Sequence, residues 1–501
     1  MKNLKYWLAL AFMSQASYSF AQYEADALRF SQTQPSGTAR SLGMGGTNVA
    51  VGADLSSLVT NPAGLGLYQR SEFSFTPGLG LGSTDSKVFG TTTNDSRNSL
   101  HIASIGAAFV NRRPDSDGNA WRGGTLALGF TRINDFNNSF RYRGTPSFEQ
   151  DILTRLGQDR GSDLDDLAYE AYLTERDNQG TYVPADYKNT GLLNQDETVL
   201  TSGSQTQFDV GYGASYRDRL YLGGAIGIVS TRYNSTSTLK AIDPSPAAPN
   251  TPGTAFGSLT YREVLETRGS GINARIGAIY RASDALRLGV SVQTPTYMQL
   301  SETYSSSINV TYDSPIQPNG PNTQTYSSAS ANTDPGEFDY VLTSPFRASG
   351  GVAVVIGKHG FLSGDLEYVN YGQARLSNTN NNDGSSGSKD FGRDNDAVRR
   401  LYQSTANLRL GGELRFDIFR LRAGYARYGD PYKQNDFDRT QNYITGGVGL
   451  RQKNFFLDAA GVYGTNKRFY SPYTLNDASA TPVVNVEGSR YTTTITAGFL
   501  F

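Results

Sequence analysis

From about Ser71 to Phe501 the chain alternates strand-like segments with links that are by turns long and short. Apolar residues recur every second position near 71–81, 99–110, 121–133, 205–216, 220–233, 258–281, 286–303, 338–357, 361–376, 403–417, 420–430, 440–452, 455–468 and 490–501. That predicts about fourteen strands, an even number. Within successive pairs the links are long and polar: 82–98, 134–204, 234–257, 304–337, 377–402, 431–439 and 469–489. Between pairs they are short, such as Arg217-Asp218-Arg219, Lys358-His359-Gly360 and Lys453-Asn454. A sheet with large loops on one edge and tight turns on the other matches the closed antiparallel barrels of bacterial outer membranes.

The alternation within each segment indicates its solvent. Leu408, Leu410, Leu414 and Phe416 share one face, while Asn407, Arg409, Glu413 and Arg415 share the other. Leu286, Leu288, Val290 and Val292 alternate with Arg287, Gly289, Ser291 and Gln293. Ile272, Ile276 and Tyr280 alternate with Asn273, Arg275 and Arg281. A soluble sandwich also alternates. The density of charge on the second face and segments of about ten residues or more favour a wet lumen and a tilted membrane crossing.

Both ends agree. Met1–Ala21 carries Lys2 and Lys5, an apolar run through Leu8–Met13, and small Ser19 and Ala21 before Gln22. This predicts a cleavable signal peptide over 1–21. The last strand places Tyr491, Thr493, Ile495, Ala497, Phe499 and Phe501 on one face, and its terminal Phe501 fits a signal for outer-membrane insertion by the barrel-assembly machinery. Hydrophobic residues make up only 37% of the chain, and no mature stretch approaches the length of a spanning helix. A barrel removes that conflict, because only alternate residues face lipid. Net charge −1 excludes a global basic field, so nucleic acid is not an expected partner. The absence of cysteine suits export and excludes thiol chemistry.

Residues 22–70 read differently. Gly43-Met44-Gly45-Gly46 leads to Ala53-Asp54 and then Asn61-Pro62-Ala63. Asp54 is expected to cap a short helix over 55–60, and Pro62 to end it at Asn61. Gly64 and Gly66 would release the chain into the first strand. So small a segment, with little apolar bulk, cannot form a domain alone, and a lumen of about fourteen strands has room for a plug. The predicted organisation is therefore signal peptide 1–21, N-terminal hatch 22–70 and barrel 71–501.

At these residues the chain resembles the outer-membrane fatty-acid and aromatic-hydrocarbon transporters of the FadL/TodX type. The resemblance rests on Gly43-Met44-Gly45-Gly46, Asp54 and Asn61-Pro62-Ala63. It continues in patches at Gly277–Tyr280, Leu286–Ser291, Ser344–Phe346, Asp365–Tyr368, Leu421–Tyr425 and Leu457-Asp458. It implies a fourteen-stranded barrel with a lumenal hatch, passive uptake of hydrophobic compounds, and sideways release beside a kinked strand. Gly123 and Gly124 would let the third strand kink. Expected partners are hydrophobic small molecules or lipids and the surrounding outer-membrane lipid. The type IX secretion shuttle resembles the same barrels, so a platform for secreted cargo proteins is the alternative. Arg40, Arg275, Arg409 and Arg415 are candidate anchors for a ligand carboxylate.

The stretch Asp151–Arg176 reads as helical, interrupted by Gly157 and Gly161, and suits an external cap or a surface helix. Ser377–Ser388 and Asp243–Thr254 read as exterior loops. An enzyme has little to work with. His101 and His359 lack metal-ligand spacing, and either would be a lone ligand to haem. Asp365 and Glu367 share a face, but a wet lumen accounts for them. Gly43–Gly46 lacks the Lys-Ser/Thr of a phosphate loop. No cofactor and no metal are implied.

Overall fold

Gly, Ser, Thr and Leu are the commonest residues of the strands after Ser71, and their period of two is satisfied here by one closed sheet. The computed structural model describes residues 23–114, 116–158, 161–176, 182–184, 192–244, 255–318, 324–379 and 390–501. The expected signal peptide, and much of the loops at 243–254 and 377–388, lie outside them.

Fourteen antiparallel staves form the barrel. They are β1 (Glu72–Val88), β2 (Thr91–Arg112), β3 (Trp121–Asp135), β4 (Asn194–Tyr216), β5 (Leu220–Ile242), β6 (Phe256–Arg281) and β7 (Leu286–Gln293 continued by Tyr297–Ile316). Then follow β8 (Gly336–Thr343 and Arg347–Ile356), β9 (Gly360–Asn370 and Arg375–Asn378), β10 (Ser404–Phe416), β11 (Phe419–Tyr428), β12 (Gln441–Arg451), β13 (Phe455–Tyr470) and β14 (Val484–Leu500). Each pairs with the next, and β1 pairs with β14 from Glu72↔Leu500 to Lys87↔Asn485, which closes the sheet. The Phe501 amide donates to the Ser71 carbonyl (3.0 Å), so both barrel termini lie at the short-turn edge.

The two faces are inverted relative to a soluble protein. Leu408, Leu410, Leu414, Val290 and Ile276 are exposed on the outside, while Asn407, Arg409, Glu413, Ser291 and Arg275 are buried inside. Among the described residues no helix is long and apolar enough to cross a membrane, which says nothing against strands doing so.

Some predicted loops are in fact strand. The expected link 82–98 is a hairpin of β1 and β2 turning at Phe89-Gly90, and the described part of 234–257 is largely the extension of β5 and β6. Beyond the apolar band both faces are polar, so the alternation that marks a strand in sequence fades while the ladder continues. The link 134–204 holds α-helices Ile152–Leu156 and Asp163–Glu170, separated at the predicted glycine break. They pack into an apolar cluster with Phe256, Leu259 and Ile308. Arg155 donates to Asp165 (2.7 Å). Burial alone would raise the Asp165 carboxyl, but its hydrogen bonds from Arg155 hold it below the usual range.

Because the chain has no cysteine, the closing register can be read with a disulfide. Leu79→Cys with Thr493→Cys, direct partners across β1 and β14, should cross-link on oxidation. Leu79→Cys with Ala497→Cys, four residues or about 13 Å out of register, should not. Cross-linking of the second pair in place of the first would refute the closure.

Candidate functional site

The lumen is filled from the short-turn end by residues 37–67. Their helices are short, Ala39–Gly43 and Ser57–Thr60, followed by a 3-10 turn over Pro62–Leu67. Thr38 caps the first of these, accepting from the Ser41 amide (3.3 Å). Asp54 does not cap the second. Its carboxylate accepts from the Ser56 amide (2.8 Å) and from the Thr38 hydroxyl (2.8 Å), which ties the two ends of the segment together. Asn61 is extended, as the following proline requires, and caps the 3-10 turn by accepting from the Ala63 amide (3.1 Å). Gly64 and Gly66 lie inside that turn rather than releasing the chain from it.

The wall meets this segment with glycines. A Cβ on Gly411 or Gly424 would overlap the Met44 carbonyl or the Gly45 amide, and one on Gly223 would overlap Pro62. Gly289 faces the Val49 carbonyl and Gly277 the Asn61 side chain in the same way. Backbone thus lies on backbone around the barrel. Polar groups fix the register. Asp365 accepts from the Asn48 and Val49 amides (2.8 and 3.0 Å), and Arg275 donates to the Leu58 carbonyl (2.6 Å). Asn61 Nδ2 donates to the Val49 carbonyl (2.7 Å) and the Ala278 carbonyl (3.3 Å). Thr445 accepts from the Gly45 amide (2.9 Å) and donates to the Gly43 carbonyl (3.1 Å). Gly45 and Gly46 adopt φ of 69° and 82°, which only glycine takes without strain.

This accounts for the candidate anchors. Arg40 donates to the Ala53 carbonyl (2.7 Å) and Arg275 to Leu58 and Gln293. Arg409 pairs with Glu367 (3.2 Å), and Arg415 with Glu413 (3.0 Å). All four serve the floor of the lumen. Asp365 and Glu367 belong to the same network. His101 faces the space above the floor, and His359 sits in a short turn, where its carbonyl accepts from the Arg415 amide (2.8 Å); among the described residues no cluster could hold a metal.

Above the floor, toward the long-link edge, lies a cavity of about 920 Å³. Its walls combine Phe136, Tyr233, Phe437 and Phe469 with Arg132, Arg468 and Arg490. The strap Phe30–Ser36 separates it from a smaller lumenal pocket of about 90 Å³ beside Arg275 and Arg347. The strap is anchored by the helix Tyr23–Arg29, whose Asp26 accepts from Tyr340 (2.9 Å). Burial raises the Asp26 carboxyl against the opposing pull of Arg29.

The wall beside this cavity is incomplete. β2 and β3 pair only from Arg112↔Gly123 to Ser104↔Thr131, so residues 91–103 of β2 have no partner in β3. β3 bulges between Arg132 and Asn134, then turns at Phe136-Asn137. Its continuation, Asn138–Gly144, stays paired with β4 and lies against the β1–β2 hairpin, where Thr84 donates to the Ser139 carbonyl (2.6 Å). Asp135 holds the bend, accepting from Asn137 (2.8 Å) and pairing with Arg490 (2.7 Å) and Arg132 (3.2 Å). The breach thus opens at this bend, while the register of β3 with β4 also shifts between Trp121 and Gly123, beside the predicted Gly123-Gly124. Those glycines are paired on both sides, with Arg112 and Asn111 across one edge and Ser215 and Ala214 across the other. The run Asn134-Asp135-Phe136-Asn137-Asn138 was the signal in the sequence, a cluster of Asx residues that breaks the alternation.

The described barrel is thus a closed fourteen-stranded sheet with a filled floor, an internal cavity and one breach in its wall. The fold is of the FadL/TodX type. Solved structures of similar form include a FadL homologue from Pseudomonas aeruginosa (TM-score 0.51, 12% identity, covering 93% of this chain and 99% of that one). The P. putida toluene transporter TodX matches at TM-score 0.51, 12% identity, with 93% and 99% covered. A deltaS2 mutant of the TodX monoaromatic hydrocarbon channel matches at 0.50, 14% identity, with 93% and 98% covered. At these identities the likeness establishes the fold. No protein-family model matches the chain, and no curated protein does.

Substitutions at the glycine contacts should separate docking from folding. Gly411→Val must displace Met44, at a cost of about 1–3 kcal/mol, and should expose residues 38–67 to protease in the otherwise folded barrel. Gly350→Ala, with open space around it, should leave cleavage unchanged. Equal protection in both variants would refute fixed docking.

Proposed function

We propose that this protein is an outer-membrane channel for passive uptake of hydrophobic compounds, such as long-chain fatty acids or aromatic hydrocarbons, exported by the leader over 1–21. Residues 22–70 act as its hatch. The observation that carries the reading is the upper half of β2, unpaired on its β3 side, beside the 920 Å³ cavity. A compound that is costly to hold in water can leave such a cavity sideways into lipid without crossing an aqueous lumen. The exposed Leu100 and Ile102 on β2 carry an apolar surface to the rim of the breach. The floor, packed glycine to backbone, closes the axial path that would otherwise leak solutes. The structural neighbours, described as a toluene transporter and a FadL homologue, support the same reading.

Cells carrying the protein should accumulate a radiolabelled hydrophobic compound faster than cells without it. Ala103→Trp, which fills the breach from β2, and deletion of Ile133, which removes the bulge, should each cut that gain at least fivefold with equal barrel in the membrane. Uptake unaffected by both changes would refute the lateral route. Stoichiometric secreted proteins co-purifying with the barrel, with no uptake, would favour the cargo platform.

A further inference from the structure

The short turn between β4 and β5 is built against local preference. Arg217 and Asp218 both have φ of 52°, the left-handed region that Asn and Gly occupy with least strain. The Arg219 amide closes the turn on the Tyr216 carbonyl (3.1 Å). Aspartate tolerates such a backbone through its short polar side chain, whereas arginine has no such local compensation. Asp218 has a visible task. It accepts from both terminal nitrogens of Arg112 at the end of β2 (3.0 and 2.8 Å) and from the Ser215 hydroxyl (2.8 Å), with Arg122 of β3 at 3.7 Å. Arg113 pairs with Asp117 (2.9 Å). Arg217 and Arg219 are exposed, and among the described residues no carboxylate lies within salt-bridge distance of either. In sequence, this turn and the neighbouring one between β2 and β3 set Arg112, Arg113, Arg122, Arg217 and Arg219 against Asp115, Asp117 and Asp218.

The same corner carries aromatic side chains on its outer face. Trp121, 48% exposed, packs edge-on against Tyr216 at 5.2 Å between ring centres. The Arg217 guanidinium lies 5.4 Å from the centre of the Tyr216 ring. Tyr212, Leu126 and Leu222 are exposed next to them and continue into the apolar outer band. Tryptophan and tyrosine collect where hydrocarbon gives way to lipid headgroups. The short-turn edge of bacterial barrels faces the periplasm, and so tight a turn keeps Arg217 and Arg219 beside that level rather than projecting past it toward a soluble partner. A phosphate diester there meets unmatched guanidiniums, while its acyl chains run on along Trp121 and Leu126. A zwitterionic lipid would bring an ammonium to the same arginines.

We infer that this corner is a binding site for an anionic phospholipid of the periplasmic leaflet, with Arg217 and Arg219 on its phosphate and Trp121 against the start of its acyl chains. The inference needs the barrel to lie in a membrane, and it does not need the uptake reading.

Trp121 itself reports on the site, since the only other tryptophan of the chain is Trp7 in the expected leader. The full-length protein carrying Trp7→Phe is reconstituted in phosphatidylcholine vesicles. An equal fraction of the lipid is replaced by dibrominated phosphatidylglycerol or by dibrominated phosphatidylcholine, and quenching of the Trp121 fluorescence is measured. The anionic lipid should occupy the site at least fivefold more strongly than the neutral one. Arg217→Asn combined with Arg219→Gln should bring that ratio to one, and Arg219→Gln alone, outside the left-handed positions, should lower it in part. Because asparagine suits the turn, heat-modifiable mobility on gels should stay intact, which separates loss of the site from loss of the fold. Lys358→Gln removes an equally exposed cation from another short turn and should leave the ratio unchanged. Equal quenching by both lipids in the unaltered protein, an unchanged ratio in the paired variant, or a ratio lowered as much by Lys358→Gln overturns the assignment. Quenching by neither lipid means that a second copy or a soluble protein covers Trp121, and overturns it as well.

Discussion

Every backbone N–H and C=O of a sheet edge needs a partner, and in a closed sheet each strand supplies its neighbours with theirs. The pairing of β1 with β14 makes that possible here, and it lets Leu, Ile and Val face outward while Arg, Asp and Glu face in. Among the described residues, a long interruption lies between β2 and β3. It is held open by specific bonds. Asp135 gathers Arg132, Asn137 and Arg490, and Gly203 accepts from the Phe136 amide (3.2 Å). Among the described residues the ladder of this wall is given up between β2 and β3, and the 920 Å³ cavity lies behind that gap.

The lumen below that cavity follows a different rule. Side chains would keep the N-terminal segment away from the wall, so the wall presents glycines and the segment presents its own backbone. Charge pairs then lock the contact. Glu413 accepts from Arg422 (2.8 Å) while Arg40 of the segment lies at 3.6 Å, and Asp365 receives two segment amides. Buried ion pairs of this kind contribute little net stability by themselves, but removing one partner leaves an uncompensated charge. They set position more than strength.

The architecture was legible from local pattern because a barrel obeys a period of two at every stave. Leu408, Arg409, Leu410 announce inside and outside without reference to any distant residue. Strand ends were less legible, since Thr91–Asn98 and Ser235–Lys240 are polar on both faces and look like loop. The Asn61-Pro62-Ala63 segment was readable as a compact insert, yet the glycines that receive it are scattered over strands hundreds of residues apart, and no local signal marks Gly223 or Gly411 as a contact. The partners of the arginines are hidden for the same reason. Arg275 and Arg409 look free in sequence, and only the fold brings Leu58 and Glu367 to them.

The glycine-lined floor also fixes an order of events. Residues 37–67 are synthesised before any strand of the barrel, but their docking surface is contributed by strands from β2 through β12 and by Thr496 on β14, which accepts from the Ala39 amide (2.8 Å). None of that surface exists until the sheet has curled and closed. The segment has too little apolar area to fold beforehand, so it must travel unfolded and be enclosed by the wall forming around it. What is made first is therefore set last, and the finished floor records that the barrel closed in the correct register.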